Sequence, residues 1–280
     1  MTPRIHCIRH AQGFHNLNVA NHAMHDPLLT PLGQEQCKTL ARNFPYIAEV
    51  DCVVASPLKR TVYTALLSMQ RPIESKKLKV IALPELQETS DLPCDTGSEV
   101  AEIEREFQNK PVDWAILETP EGHSWNSKSG KWAPHADAIN KRAKEARQWL
   151  RKRPEKDIVV VTHGGFLHYF TEDWGDSDRF QGTHKHRCGS EEFKLHHHLS
   201  EIDLILNKRH AGTGWANTEY RSYTFDANSD SLHETPDSLQ RRAGTEKPLS
   251  KEEQKNLHRT TTQKWQEQGY QKAKDIQAKV

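Results

Sequence analysis

The chain lacks any long apolar run. No stretch of its 280 residues approaches the roughly 18 uninterrupted apolar residues that a membrane-spanning helix needs. The first ten residues also lack the apolar core that follows a basic start in a secretory signal peptide. We therefore expect a soluble intracellular protein, in the cytoplasm or also in the nucleus.

Cysteines are few, and charge of one sign is not in excess. The five cysteines are odd in number and form no Cys-x-x-Cys pair, which argues against both a disulfide framework and a zinc ribbon. The 39 basic residues face 38 acidic residues, so the net charge is only +1. This balance excludes an electrostatic argument for nucleic acid or an anionic membrane as a partner.

The chain does contain short apolar strands that alternate with helical periodicity. We predict strands at 4–9, 51–55, 79–83, 157–162 and 219–225, and helices at 34–44, 58–69, 98–107 and 136–151. Ser98 is the expected N-cap of the third helix. The strand at 157–162 is apolar on both faces, which is typical of the centre of a covered parallel sheet. The alternation predicts a three-layer α/β/α sandwich with a mostly parallel central sheet.

Two segments do not follow this alternation. Residues 183–212 carry six of the 17 histidines, and deleting them would remove no periodic element, so we interpret them as an insertion or a translated intron. Residues 229–280 contain 11 apolar residues out of 52, which favours a polar, partly helical tail that packs loosely or not at all. We therefore predict one domain over 1–228, which includes the insertion, followed by the tail.

Charged and polar residues follow the ends of four predicted strands. Ligands of open parallel sheets bind beyond the carboxyl ends of the strands, so we expect these residues to converge on one crevice. They are Arg9, His10 and Asn16 after the first strand, Arg60 after the second, Glu88 after the third, and His163, Gly164 and Gly165 after the fourth.

Two arginines, two histidines and one carboxyl group suit a small phosphomonoester as substrate. A guanidinium group forms bidentate hydrogen bonds with phosphate oxygens. A neutral imidazole attacks phosphorus in line and forms a phosphohistidine, while the second imidazole and the arginines stabilise charge on the equatorial oxygens. A carboxylic acid protonates the leaving alkoxide and later activates water. This chemistry requires no metal ion and no other cofactor.

The same residues match a family pattern. Arg9 and His10, followed by Asn16, resemble the Arg-His-Gly signature of the histidine phosphatase superfamily, whose best-known branch is cofactor-dependent phosphoglycerate mutase. Further elements follow in the family's order: Leu-Thr-Pro-Leu-Gly at 29–33, Ser-Pro-Leu-Lys-Arg at 56–60, Leu-Gln-Glu at 86–88 and Val-Thr-His-Gly-Gly at 161–165. The resemblance covers residues 4 to about 170 and implies a phosphoglycerate mutase-like fold.

The resemblance also implies roles for single residues. His10 is the expected nucleophile and Glu88 the expected proton donor. The expected phosphate ligands are Arg9, Asn16, Arg60 and His163, and Gly164 with its neighbour Gly165 permits close approach of the backbone to an anion. Ala11 departs from the usual glycine of the signature, as in the Arg-His-Ala-Gln-Gly variants of plant and fungal members.

Three alternatives stay open. The chain is a metal-independent phosphatase in our leading interpretation, a mutase that returns the phosphoryl group to a second hydroxyl in another, and a phospho-ligand-binding scaffold in a third. Glu85 is a weaker candidate than Glu88 for the proton donor. A cysteine phosphatase is excluded, because the arginine that such a loop needs six residues after Cys7 is replaced by Gly13, and we expect Cys7 to face the core.

Other polar residues have ordinary explanations. We interpret His15, His22 and His25 as solvated loop residues, one of which could touch the substrate. The basic residues of the helix at 136–151 and just after it, which include Arg142 and Arg147, are interpreted as a solvated helix face. The triple histidine at 196–198 and Cys188 have no fixed geometry that would make a physiological zinc site.

Overall fold

The computed structural model describes residues 2–175, 177, 214–243 and 249–273. The segment that we interpret as an insertion, 183–212, lies outside the described residues. None of the described helices is both long enough and apolar enough to cross a membrane. Within the described ranges, no three or more His, Cys, Asp or Glu side chains are grouped as they would be around a metal ion.

The described strands form one sheet. They are β1 Arg4–Arg9, β2 Cys52–Ala55, β3 Val80–Ala82, β4 Val112–Asp113, β5 Asp157–Thr162, β6 Tyr220–Phe225 and β7 Leu232–Glu234. Their order is β4-β3-β2-β5-β1-β6-β7. The first five strands run parallel, whereas β6 pairs antiparallel with β1, and β7 pairs antiparallel with β6. The predicted, mostly parallel sheet is confirmed.

Helices cover both faces of this sheet. They are α1 Pro31–Asn43, α2 Lys59–Ser68, α3 Gln70–Lys76, α4 Val100–Glu106, α5 Ala136–Arg151, α6 Gly164–Thr171, α7 Pro236–Ala243 and α8 Lys251–Glu267. Side chains of α5, α6 and α8 pack on one face against Ile158 and Val160 of β5. Side chains of α1 to α4 pack on the other face against Val159 and Val161. The three-layer sandwich is therefore confirmed, with β5 buried at its centre.

The C-terminal residues contradict the expectation of loose packing. Leu232 lies in β7 at the sheet edge, and Trp265 of α8 is 6% exposed and belongs to the same core cluster as β5. Its ring packs against Trp174 at 5.9 Å between centroids. The low average apolar content of this segment does not indicate such packing, because a few large side chains on one face are enough to bury one side of a helix.

Two local expectations are wrong. The N-cap of α4 is Glu99 and not Ser98. The hydroxyl of Ser98 donates to Glu102 at 3.1 Å, and its backbone N–H donates to the carboxylate of Asp26 at 3.0 Å. On α5, Arg142 and Arg147 are 1% and 5% exposed. They do not form a solvated face, because backbone carbonyls of neighbouring segments accept from both guanidinium groups. Cys7, as expected, is buried in the core.

Candidate active site

The carboxyl edge of the parallel strands carries a cavity. His10 follows β1, Glu88 follows β3 and His163 follows β5, so the topology brings these side chains to one place. Residues from many elements line the cavity: Arg9, His10, His15, Asn16, His22, Glu88, Thr89, Ser90, Leu92, Cys94, Asp95, Gly165, Trp265 and Tyr270. Residues after three of the four strands that the sequence singles out thus line the cavity. Arg60, which follows the remaining strand β2, lies against His10.

His10 is held in one orientation. Its backbone N–H donates to Thr162 of β5 at 2.9 Å, and Asn217 donates to its carbonyl at 2.9 Å. Its Nδ1 lies 2.7 Å from the carbonyl oxygen of Ala11. A carbonyl oxygen only accepts, so Nδ1 carries the hydrogen and Nε2 carries the lone pair. Burial, Arg60 and Arg9 lower the pKa of His10 well below its usual value, which keeps this ring neutral.

Arg60 links the two histidines. It is fully buried, its Nε lies 3.3 Å from Nε2 of His10, and its Nη2 lies 3.0 Å from Nδ1 of His163. The same guanidinium group is oriented by Asp95 at 2.8 Å and by the carbonyl of Cys94 at 2.6 Å. A paired, buried guanidinium of this kind is fixed for anion binding before a ligand arrives.

His163 lies on the other side of Arg60. Its ring centroid is 5.2 Å from that of His10, and its Nε2 lies 2.9 Å from the hydroxyl of Ser56. The pKa of His163 is lowered well below its usual value by burial and by Arg60. His163 is therefore a neutral group in a polar cluster and not an apolar core histidine.

Glu88 occupies the N-terminus of α6. Its carboxylate accepts from the N–H groups of Gly165 at 3.2 Å and Phe166 at 2.9 Å. A Cβ at Gly165 would lie 2.7 Å from Oε1 of Glu88, so the glycine makes room for this carboxyl group. Gly164, the first residue of α6, is buried beside it. The close approach of the backbone to an anion that we expect at this glycine pair is thus made to the carboxylate of Glu88 in the structure.

Burial raises the pKa of Glu88, and the nearby Asp95 raises it further, while Arg60 and the backbone hydrogen bonds oppose the shift. Glu85, the other candidate, instead forms an ion pair with Lys131 at 2.7 Å. It is also not among the described residues that line the cavity. The geometry therefore favours Glu88 over Glu85 as a group that exchanges a proton in the cavity.

A buried cation fixes the loop that carries Glu88. Arg142 of α5 donates to the carbonyls of Glu85 at 2.7 Å, Gln87 at 2.8 Å and Glu88 at 3.2 Å. Lys128 donates to the side chain of Gln87 at 2.8 Å, and burial lowers the pKa of this lysine to about 7. The loop is held from two sides by groups that sequence motifs do not mark.

Arg9 and Asn16 line the same cavity. Arg9 is 5% exposed and donates to the carbonyl of Trp215, and burial lowers its pKa to about 10. Oδ1 of Asn16 accepts from the N–H of Gly13 at 3.0 Å, which fixes the loop after β1. All the residues that the motifs predict as phosphate ligands therefore lie around His10.

The Leu-Thr-Pro-Leu-Gly element at 29–33 packs against the loop that follows β1. Thr30 caps α1 by accepting from the N–H of Gly33 at 3.0 Å, and its own N–H donates to the carbonyl of Gln12 at 2.9 Å. A Cβ at Gly33 would lie 2.2 Å from that carbonyl oxygen. Only glycine allows α1 to approach the loop so closely.

His15 is a functional candidate, contrary to the expectation of a solvated loop residue. The ring is not solvated: it is 6% exposed, lines the cavity and lies 5.4 Å from the His10 ring between centroids. A Cβ at Gly13 would lie 2.8 Å from this ring, so the glycine makes room for it. The glycine two residues before the histidine was therefore the only local sign in the sequence that the His15 ring is buried. Burial and the charge of Arg60 lower the pKa of His15 well below its usual value.

Other wall residues carry no motif at all. Asp95 comes from the loop after Glu88, and Trp265 and Tyr270 come from α8 and the segment after it. Of the other two loop histidines, His22 is half-buried and lines the cavity, contrary to the expectation of a solvated residue, whereas His25 is exposed and does not line it. The residues that line the cavity beside the predicted phosphate ligands thus come from distant parts of the chain, where local sequence patterns give no indication.

Comparison with known proteins agrees with this constellation. The sequence model of the histidine phosphatase superfamily (branch 1) matches residues 5–207. The chain belongs to this superfamily. The match confirms the family and the enzyme class that the motifs predict, a phosphatase of the histidine phosphatase superfamily.

Relatives are found in fungi and plants. A probable phosphatase of Schizosaccharomyces pombe is 28% identical over 201 residues, which cover 69% of this chain and 90% of that protein. A phosphoglycerate mutase-like protein of Arabidopsis thaliana is 28% identical over 253 residues, which cover 76% of this chain and 88% of that protein. The fold resembles the solved ecdysone phosphate phosphatase of Bombix mori, with a TM-score of 0.50, 13% identity, and coverage of 83% of this chain and 92% of that chain.

Proposed function

We propose that this chain hydrolyses small phosphomonoesters without a metal ion, by way of a phosphohistidine at His10. The observation that carries the proposal is the orientation of His10. Its Nδ1 is engaged by the Ala11 carbonyl at 2.7 Å, so the lone pair is on Nε2, where it accepts a long hydrogen bond of 3.3 Å from Nε of Arg60 that a bound phosphate would take over. A neutral, oriented imidazole in a cationic cavity is the arrangement that attack on phosphorus requires.

In the first step, Nε2 of His10 bonds to phosphorus as the bond from phosphorus to the leaving oxygen breaks. Arg9, Arg60, His163 and Asn16 bind the three equatorial oxygens, where charge accumulates. His15, which lines the same cavity, is a further neutral hydrogen-bonding group for these oxygens. The Nδ1 hydrogen stays on His10, and the Ala11 carbonyl stabilises the positive charge of the phosphorylated ring.

Glu88 completes both half-reactions. Protonated Glu88 gives its proton to the leaving oxygen, and its carboxylate then takes a proton from water as that water attacks phosphorus and the bond to His10 breaks. The raised pKa that burial and Asp95 give Glu88 supports the first role, because the acid form persists to higher pH. Inorganic phosphate leaves, and the neutral imidazole is regenerated.

A mutase is the second candidate, because the Arabidopsis relative is described as phosphoglycerate mutase-like. A mutase would pass the phosphoryl group from His10 to a second hydroxyl and release little inorganic phosphate. The description of the fission yeast relative as a probable phosphatase favours hydrolysis.

Release of inorganic phosphate tests the proposal. We expect wild-type protein in a chelator to hydrolyse 4-nitrophenyl phosphate, and His10→Ala to lose at least about 10³-fold in kcat/KM. His123→Ala, at an exposed histidine outside the cavity, is the matched control and should keep the wild-type rate. Equal rates for wild type and His10→Ala would contradict the nucleophile, and isomerised 3-phosphoglycerate without phosphate release would indicate the mutase.

A further inference from the structure

The position of Glu88 determines where the rest of the substrate lies. In-line transfer places the leaving oxygen opposite the nucleophile, within hydrogen-bonding distance of the group that protonates it. If His10 attacks and Glu88 donates, as the proposed function has it, the organic part of the substrate must extend along the wall around Glu88. This inference therefore rests on the proposed function.

The C-terminal segment lines the same cavity as Glu88. Trp265 of α8 and Tyr270 line the cavity together with Thr89, Ser90 and Asp95. Gly269, with a φ of 76°, ends α8 in the left-handed conformation and turns the chain back, so that the N–H of Tyr270 donates to the carbonyl of Trp265 at 2.9 Å.

This aromatic wall is preformed. The two residues after Tyr270 are anchored. Gln271 accepts from the hydroxyl of Tyr169 at 2.9 Å. The N–H of Lys272 donates to the carbonyl of Pro134 at 2.8 Å, and its side chain forms an ion pair with Asp91. The ring of His22 makes an edge contact with Tyr270 at 6.2 Å between centroids. Ligand binding would therefore not have to order the ring of Tyr270.

Two carboxyl groups, those of Glu88 and Asp95, line the cavity together with these rings. The charge of Asp95 acts on both sides of this wall, because it adds to burial in raising the pKa of Glu88 and that of Tyr270. A carboxylate on the substrate would be repelled by Asp95, whereas a neutral ring could pack against the aromatic side chains of Trp265 and Tyr270.

We infer that Trp265 and Tyr270 form a subsite for a neutral, ring-bearing leaving group, so that the C-terminal segment selects phosphomonoesters of neutral ring alcohols over those of hydroxy acids.

Binding of non-hydrolysable phosphonates tests the subsite without any need for turnover. Dissociation constants are measured by calorimetry for phenylphosphonate, methylphosphonate and phosphonoacetate. We expect phenylphosphonate to bind more tightly than the other two. Tyr270→Ala should weaken phenylphosphonate about 3- to 10-fold and leave methylphosphonate unchanged, whereas Tyr270→Phe should behave as wild type.

Leu257→Ala is the matched control, since Leu257 of α8 packs against the core and does not line the cavity. It should leave all three constants unchanged, with its melting temperature recorded beside that of Tyr270→Ala. Phosphonoacetate binding as tightly as phenylphosphonate, or Tyr270→Ala weakening all three ligands equally, would overturn the subsite. Phosphate release from esters is measured separately. The binding constants therefore test the subsite, and phosphate release tests the proposed hydrolysis.

Discussion

Nε of Arg60 lies 3.3 Å from Nε2 of His10, while the Ala11 carbonyl contacts the other ring nitrogen, Nδ1. The guanidinium group only donates, so this contact and the one to Ala11 specify the same tautomer. Arg60 also lowers the pKa of His10, after the larger effect of burial. The residue that we propose as a phosphate ligand thus also helps to keep the proposed nucleophile neutral.

Replacing the proton donor should affect poor leaving groups most. Glu88→Gln removes the proton that an alkoxide needs, so we expect kcat/KM for an alkyl phosphate to fall about 10²- to 10⁴-fold. The first turnover of 4-nitrophenyl phosphate, whose leaving group needs little protonation, should fall far less and appear as a burst. Glu85→Gln is the matched control. Equal losses for both esters would contradict the assignment of Glu88.

Removing the charge of Asp95 should move the alkaline limb of the pH profile. Burial and then Asp95 raise the pKa of Glu88, so without this charge Glu88 ionises at lower pH. We expect Asp95→Asn to shift the fall of kcat/KM on the alkaline side to lower pH. The comparison uses one ester for both proteins, so ionisation of the substrate cancels. An unmoved or upward-shifted alkaline limb would contradict the coupling.

Acid should destabilise the protein through its buried imidazoles. His10, His15 and His163 all have pKa values lowered by burial, while in the unfolded chain they titrate near about 6.5. Below that pH these three imidazoles bind protons in the unfolded state but stay neutral in the native state. The free energy of unfolding should therefore decrease as pH falls, by up to about 1.4 kcal/mol per pH unit for each imidazole.

The measurement is denaturant unfolding of wild type and His15→Asn between pH 7.5 and 5.5. The raised pKa of Glu88 acts in the opposite direction, but it is common to both proteins. We expect the variant to have the shallower dependence on pH. Identical slopes would show that His15 is not held neutral in the native state.

Arg142 should act as a positioning residue for Glu88. It holds the carbonyls of Glu85, Gln87 and Glu88, so Arg142→Met should lower kcat for alkyl phosphates and spare 4-nitrophenyl phosphate, in the pattern of Glu88→Gln. Arg147→Met is the control, because Arg147 is also buried on α5 but donates to the carbonyls of Tyr169 and Phe170. An equal loss of kcat for alkyl phosphates and for 4-nitrophenyl phosphate would indicate a merely structural role of Arg142.

Much of this architecture was predictable from sequence patterns, because the patterns are local. The helix at 136–151 and the strand at 157–162 are observed with the predicted bounds, since both have strong periodicity and clear ends. The motif residues His10, Arg60, Glu88 and His163 were also found correctly as a convergent set, because parallel topology alone brings strand ends together.

What local patterns missed depends on contacts across long sequence separations. His15 is buried only because Gly13 and the cavity accommodate its ring, and Arg142 is buried because carbonyls more than 50 residues earlier in the chain accept from it. Trp265 and Tyr270 reach the cavity from a segment whose composition suggested loose packing. Side-chain placement of this kind is determined by tertiary packing and not by periodicity.

The central claim is a covalent phosphoryl group on His10, and trapping it is the most direct measurement. Wild type and His10→Ala are mixed with an ester labelled with radioactive phosphorus, quenched within milliseconds, and the label bound to protein is counted. We predict a label on wild type that survives alkali, is lost in acid, as expected for phosphohistidine, and is absent from His10→Ala. Turnover by wild type without any bound label, or equal labelling of His10→Ala, would contradict it.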